Sequence, residues 1–459
     1  FATPDKQRLF GIKPISEEKR IDMINKGLER LASLQLRNGG FSLWNNKGNE
    51  EHWLTAYVAD FLVNARDMGA QVPEEMLSKT LKRLQHYLSR SSRFHNERWS
   101  YNPNLYYFAY KAYAAYVLSK VNQAPLGTLR TLAKNHSKHA ESGLSQLHLA
   151  IALKNMGDQA SSNTLADKAL QNIPKANQRY LGDYGSQIRD LAMMIHLLSE
   201  HNIDATKAVA LSFDLADLIY TRKYLSTQER NALFLAGLSL DKTTDNNWTA
   251  RLMIDSATTK LSQSSKYQQM LSVTDINSGV NIISEHDAPL LSRIAVSGYG
   301  IEPPKEKFNG LTISRQWFDV NGKEVSQKSV NVGDLILVNL QIAADQRTPD
   351  ALAIDLIPAG FELENQNLAH AIKLDDIKVD GATVANWQKR NQFKHREFRD
   401  DRYVAAMNLY QGRTINLFYL MRAVTPGTYK VPSPLVEDMY RPEIRGVGST
   451  LTEVKIVEK

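Results

Sequence analysis

Five strongly apolar helical stretches, opening near Trp53, Tyr106, Leu144, Ser186 and Ser226, recur at a spacing of roughly 40–50 residues. More charged helical stretches lie between them. A repeat of that length built from helical hairpins makes a solenoid or a closed ring. Apolar helices alternating with amphipathic ones divide it into an inner and an outer layer. The pattern therefore predicts an α/α toroid of about five or six hairpins over residues 1–240.

The helix ends are marked locally. The first helix opens at Ser16-Glu17-Glu18, a capping residue with acids in the first turn. It carries Ile21, Ile24, Leu28, Leu31 and Leu34 at helical spacing. Gly39-Gly40 then lets the chain turn with positive φ, and Phe41 and Trp44 bring large apolar area into the loop. From Glu51 the period is helical again, with Trp53, Tyr57 and Phe61 on one stripe. Glu50 and Glu51 stand where the positive end of the helix dipole favours carboxylates. Met68-Gly69 ends that helix and Pro73 begins the next. The helix after Pro103 is dense in tyrosine from Tyr106 to Tyr116. Others are legible over 143–156, 186–198, 205–220 and 227–240.

Near Leu240 the texture changes. Residues 241–300 read as a β-rich link, with alternation from about Lys260, and Ile294–Gly300 leads into a boundary at Pro303-Pro304. Over 301–459, short β-type runs recur at 311–319, 335–342, 351–356, 402–408, 415–421, 427–431 and 450–457. Asn321-Gly322, Asp380-Gly381 and Pro426-Gly427 separate them, which predicts an antiparallel β-sandwich.

Composition narrows the function. The 459 residues are 42% hydrophobic and 23% charged, the balance of an ordinary globular protein. The net charge of +7 is spread rather than clustered, so a nucleic-acid partner is not expected. No apolar run reaches the length of a membrane span, and Phe1–Lys6 lacks the anatomy of a signal peptide and an initiating Met, so an internal or processed piece is expected. The absence of Cys removes disulfides, Cys-ligated zinc and cysteine nucleophiles together, and no metal site or cofactor is expected.

Taken in order, Gly39-Gly40-Phe41-x-x-Trp44, a loop, then Trp53-Leu54-Thr55-Ala56-Tyr57-Val58 resembles the thioester-containing domain of the α2-macroglobulin and complement family. The likeness is narrower to the bacterial α2-macroglobulins, with Trp53, Thr55 and Tyr57 as its signature. Tyr184-Gly185-Ser186 and Tyr224-Leu225-Ser226-Thr227-Gln228-Glu229 look like openings of that family's later inner helices. Asp355–Glu362, Arg399–Arg402 and Arg422–Tyr429 are similar to its terminal macroglobulin-like sandwich. The resemblance covers essentially the whole chain. It implies a thioester-type toroid, a β link forming the returning half of a CUB-like domain, and a macroglobulin-like sandwich.

It also implies a role. The family's reactive element is a Cys-x-Glu-Gln motif whose Cys sulfur and Gln carbonyl form an internal thioester. This chain has no Cys: in the family the motif would fall just upstream of Phe1, so either these residues begin after it or the parent protein lacks it. The intact protein would trap attacking proteases in a single-turnover suicide reaction and would not be an enzyme. The resemblance further implies a periplasmic protein, held at the inner membrane by an N-terminal lipid outside this chain. A peptidoglycan synthase, a penicillin-binding protein, is a partner it suggests.

Two features would act on a thioester supplied from outside these residues. Met439 and Tyr440, in Glu437–Glu443, match a Met-Tyr pair that shields the thioester in bacterial relatives. An activated acyl group survives only where water is excluded, and a thioether beside a phenol ring makes an apolar cover. His95 matches the loop in which some complement relatives place an acyl-accepting imidazole. Its other reading is an ordinary loop histidine.

No zinc-protease, nucleophile-elbow, P-loop or dinucleotide motif is present. Asp400-Asp401 between Arg399 and Arg402 reads as a turn or ion pair, and Arg189-Asp190 as a buried polar contact. The tyrosine-rich helix leaves a second class open, a polysaccharide lyase or glycosidase, since those enzymes also join an α/α toroid to a β-sandwich. A repeat scaffold without chemistry is the third.

Overall fold

The computed structural model describes residues 3–9, 12–90, 102–176, 181–220, 222, 224–241, 247–263, 267–286, 290, 292, 298, 302–325, 329–364, 373–389, 391–449 and 451–458. The chain divides into two compact units, Phe1–Lys223 with Thr227–Ala295, and Tyr224–Ser226 with Val296–Lys459.

The helices of the first unit are Pro4–Leu9 (α1), Glu17–Leu34 (α2), His52–Asp67 (α3), Glu74–Ser89 (α4), Pro103–Lys120 (α5) and Leu126–His136 (α6). Gly143–Asn155 (α7), Gln159–Gln171 (α8), Gln187–Glu200 (α9), Ala205–Tyr220 (α10) and Thr227–Asp241 (α11) complete them. α5 is buried without interruption from Leu105 to Ser119, and α7 from Gly143 to Leu153. Such helices have no solvent face, which is why their sequences lack an amphipathic stripe. By contrast α4 buries Met76, Leu77, Thr80, Leu81, Leu84, Tyr87 and Leu88, a single i, i+3, i+4 stripe. α6 and α8 bury even less.

The inner helices touch in succession, α3 to α5, α5 to α7, α7 to α9 and α9 to α11. The ring closes where Asn231 of α11 meets Tyr57 of α3. The fold is thus an α/α toroid, with Ser16 capping α2 and Pro103 at the first turn of α5. One detail differs. Only Leu28 of the α2 stripe is buried, and Ile21 is exposed.

After α11 come Trp248–Ile254 (β1), Ala257–Gln263 (β2) and Val280–Ser284 (β3), a three-stranded antiparallel sheet in the order β2-β1-β3. Strand structure therefore begins at Trp248, ahead of the expected Lys260, because the residues before Lys260 form a hairpin, β1 joined to β2 by a tight turn in which Asp255 has φ +52°. A short helix, Val273–Ser278 (α12), lies between β2 and β3. Most of the boundary stretch expected at Ile294–Gly300 lies outside the described residues.

In the second unit one sheet has six strands. In their order across it they are Gln392–Arg399 (β12), Arg402–Leu409 (β13), Thr348–Leu356 (β8), Leu435–Asp438 (β16), Arg445–Val447 (β17) and Lys307–Asn309 (β4). A four-stranded sheet, β5-β7-β14-β9, is made by Leu311–Phe318 (β5), Leu335–Ala344 (β7), Thr414–Ala423 (β14) and Phe361–Leu363 (β9). A third is made by Gly427–Val431 (β15), Leu451–Val457 (β18) and Ser329–Asn331 (β6). Among the described residues these strands pair antiparallel, except β18 with β6, which is parallel.

Trp317, Val338, Leu340, Tyr403, Met407 and Tyr419 belong to the main core. The opposite face of β7 and β14 is buried too. Leu337, Phe418 and Leu420 pack there against Leu374, Ile377, Val379 and Val384 of an insertion that holds the short antiparallel pair Lys378–Val379 (β10) and Ala382–Thr383 (β11). Burial on both faces is why β7 reads as a nearly continuous apolar run. β12, absent from the expected strands, is a charged edge strand, a composition that protects exposed edges and conceals them from hydrophobic patterning.

Candidate functional site

The Gly39-Gly40-Phe41 turn is stitched to the start of α3. The Phe41 N–H donates to Thr55 Oγ1 at 2.9 Å, and Thr55 Oγ1 donates to the Glu51 carbonyl at 2.9 Å. The Glu51 N–H returns to the Phe41 carbonyl at 2.9 Å. Gly39 has φ +87°, and a Cβ there would overlap the Lys79 carbonyl of α4, so only glycine fits. Thr55 is fully buried and serves as the joint between turn and helix.

Glu50 departs from expectation. Rather than a partner of the helix dipole, its side chain is buried and accepts from Arg83 Nε at 2.8 Å and Nη2 at 2.5 Å, from Asn38 Nδ2 at 3.0 Å, and from the Tyr87 hydroxyl. Burial raises its pKa, but these donors outweigh it and leave the carboxyl below its ordinary range. Beside it, burial holds His52 down at about 4, so the imidazole is neutral near pH 7.

Trp53 and Tyr57 face the middle of the ring. Their rings stack at 5.5 Å and 15°. The Arg189 guanidinium lies 4.7 Å from the Trp53 ring. Tyr113 is 5.3 Å from Trp53 and stacks on His148 at 4.3 Å and 3°. The Tyr57 hydroxyl accepts from Asn231 Nδ2 at 2.9 Å. Together with Met193 and Gln228, these groups border a small pocket with room for about one water molecule. Two buried polar atoms there, His148 Nε2 and Arg189 Nη1, make no hydrogen bond among the described residues. Burial, with the Arg189 charge, holds His148 at about 3.

The buried contact expected at Arg189-Asp190 is a chain of pairs. Arg189 reaches Asp183 at 2.8 Å and Asp190 at 2.6 Å, and the Ser142 hydroxyl donates to Asp190 at 2.7 Å. Likewise the Ser186 hydroxyl, at the cap of α9, donates to Glu229 of α11 at 2.7 Å. The caps of successive inner helices are thereby tied to acids on the next. A Cβ at Gly185 would overlap Arg189, which explains that glycine. His148 was not legible beforehand, since a lone histidine in an apolar helix carries no spacing signal.

In the second unit, Met439 and Tyr440 begin the loop between β16 and β17, both half-buried. Asp401 pairs with Arg402 at the β12–β13 turn. His95 lies outside the described residues. Among the described residues, no group of three His, Asp or Glu side chains is arranged for a metal ion, and no helix is long and apolar enough to cross a membrane.

Comparison with known proteins agrees with this geometry. Residues 7–106 match the family described as the A-macroglobulin TED domain, and residues 310–443 the Bacterial Alpha-2-macroglobulin MG10 domain. The chain is 40% identical to alpha-2-macroglobulin of Escherichia coli over 96% of its own length and 26% of that protein. It thus spans about a quarter of the curated relatives it matches. Among solved structures, native E. coli alpha-2-macroglobulin from domain MG7 to the C-terminus superposes with a TM-score of 0.90 at 36% identity, over 100% of this chain and 71% of that one. A Salmonella alpha-2-macroglobulin reacted with methylamine gives 0.86 at 35% identity, over 100% and 29%. The trypsin-activated E. coli protein gives 0.50 at 35% identity, over 100% and 31%.

Proposed function

The chain belongs to the bacterial alpha-2-macroglobulin family, and from that premise we propose that it is the C-terminal part of a broad-spectrum protease inhibitor. The observation that carries this reading is the closed ring with Trp53 and Tyr57 on its inner face and Thr55 joining the glycine turn to the first inner helix, together with a 0.90 TM-score against the native E. coli relative. The methylamine-reacted and trypsin-activated relatives support an amine-reactive thioester and protease targets.

In this reading a Cys-x-Glu-Gln thioester is contributed by residues upstream of Phe1, and Met439 and Tyr440 keep water from it. Cleavage of a bait segment by the attacking protease uncovers the thioester. A lysine amine of the protease then attacks the acyl carbon, the C–S bond breaks, an amide forms, and the amine's proton ends on the released thiol. Each molecule reacts once, so the protein is an inhibitor and not an enzyme. We further propose a periplasmic location with an N-terminal lipid at the inner membrane, and association with a penicillin-binding protein. Retention in the membrane fraction of the intact protein, and its co-purification with such a synthase, test these two points.

The decisive experiment is methylamine treatment of the intact protein. One methylamine incorporated and one thiol released per molecule are expected. Failure to incorporate it removes the covalent mechanism.

A further inference from the structure

We propose that Asp438 is the positioning residue that holds the Met439–Tyr440 loop in its working shape, an inference that rests on the shielding role proposed above. Asp438 ends β16 and its side chain is fully buried. Its carboxylate accepts four hydrogen bonds from the loop it precedes. Oδ1 takes the backbone N–H of Tyr440 at 2.9 Å and of Arg441 at 3.0 Å, and Oδ2 takes Arg441 Nε at 2.9 Å and Nη2 at 2.6 Å.

The rest of the loop is closed around this group. The Asp438 N–H donates to the Ile444 carbonyl at 3.0 Å, and the Ile444 N–H to the Arg441 carbonyl at 2.8 Å. The Met439 N–H donates to the Asp350 carbonyl at 3.0 Å, on the neighbouring strand β8. The Asp350 carboxylate, which also faces Asp438, is occupied by Lys394 Nζ at 2.8 Å. Both residues assigned to the cover therefore project from peptide groups whose N–H bonds are already fixed.

A cover for an activated acyl group has to be rigid before it is needed, because every opening admits water. A loop tip ordered only by its own side chains would fray. Here, opening would strip a buried carboxylate of all four donors at once. An unpaired buried charge is far costlier than a frayed turn. The sequence Glu437-Asp438-Met439-Tyr440-Arg441 thus encodes the clamp next to the residues it clamps.

The test has two arms, hydrogen exchange on the chain described here and thiol release from the intact protein. In Asp438→Ala, exchange at the Tyr440 and Arg441 amides should rise about tenfold or more, while β7 and β14 keep their protection. Asp438→Asn retains an acceptor for the two N–H groups but loses the Arg441 fork, and should fall between wild type and Asp438→Ala. In the intact protein, spontaneous thiol release should increase in the same order.

Unchanged exchange at 440–441 in Asp438→Ala overturns the positioning role. Faster exchange with wild-type thiol release, in both Asp438→Ala and Tyr440→Ala, overturns the shielding reading instead. If Asp438→Ala does not fold, wild-type exchange at Arg441 in Asp438→Asn overturns the clamp.

Discussion

Asn231 Nδ2 donates to the Tyr57 hydroxyl at 2.9 Å across 174 residues of sequence, joining the first inner helix of the ring to the last. The inner helices pack chiefly on their neighbours in the series, and this bond ties the last of them back to the first. Replacing Tyr57 by Phe should lower stability by about 1 kcal/mol, and with Asn231→Ala should show a coupling of about 0.5–1.5 kcal/mol. Chemical denaturation of the two single variants and the double variant measures this, and strictly additive effects would deny the closure.

Gly39 and Gly69 both have positive φ, at +87° and +84°. Only Gly39 meets another backbone, the Lys79 carbonyl, where Gly69 has open space. Gly69→Ala should cost about 1 kcal/mol, from strain alone. Gly39→Ala should cost about 2 kcal/mol more, as the turn is forced off α4. Equal midpoint shifts would mean that close approach has no part in the choice of glycine.

His148 is neutral in the fold, held at about 3 by burial and the Arg189 charge, and burial holds His52 and His201 at about 4. Unfolded, each regains a pKa of about 6.5. Between those values the unfolded chain binds more protons, so stability is full above about pH 6.5 and falls as pH drops toward 3. His148→Gln should reduce proton uptake on unfolding at pH 5 by about one. Denaturation at pH 7 and pH 5 reads it out. An unaltered pH dependence would mean that His148 is not buried neutral.

In the sandwich, Asp355 is fully buried between Arg315 Nη1 at 2.7 Å and the Tyr419 hydroxyl at 2.6 Å. Arg315→Met leaves that carboxylate without its counter-charge and should cost about 3–5 kcal/mol. Arg315→Met with Asp355→Asn should cost less than Arg315→Met alone. Thermal unfolding that ranks the two the other way would remove the ion pair from the account.

On the proposed shielding role, Tyr440→Ala in the intact protein should hasten spontaneous hydrolysis of the proposed thioester, followed by the appearance of free thiol. A wild-type rate would retire the shielding role.

Much of the ring was legible from Trp53, Pro103, Ser186 and their neighbours, because helix caps, stop signals and a 40–50-residue repeat are local properties of a chain. With the family established, the lyase or glycosidase reading keeps no support beyond a ring that the thioester domain shares. What local pattern could not supply was partnership. Glu50 beside Glu51 looks like a dipole partner until α4 brings Arg83 and Tyr87 to it. His148 is one histidine in an apolar helix until α5 lays Tyr113 flat against it. Asp438 is one acid before a Met-Tyr pair until the loop folds its own N–H groups onto the carboxylate. Periodicity is written residue by residue, so the sequence determined the elements and the family. Desolvation and charge pairing depend on groups far apart in the chain, or on the turn between them, so only the tertiary structure decided which polar side chains are held, neutral or clamped.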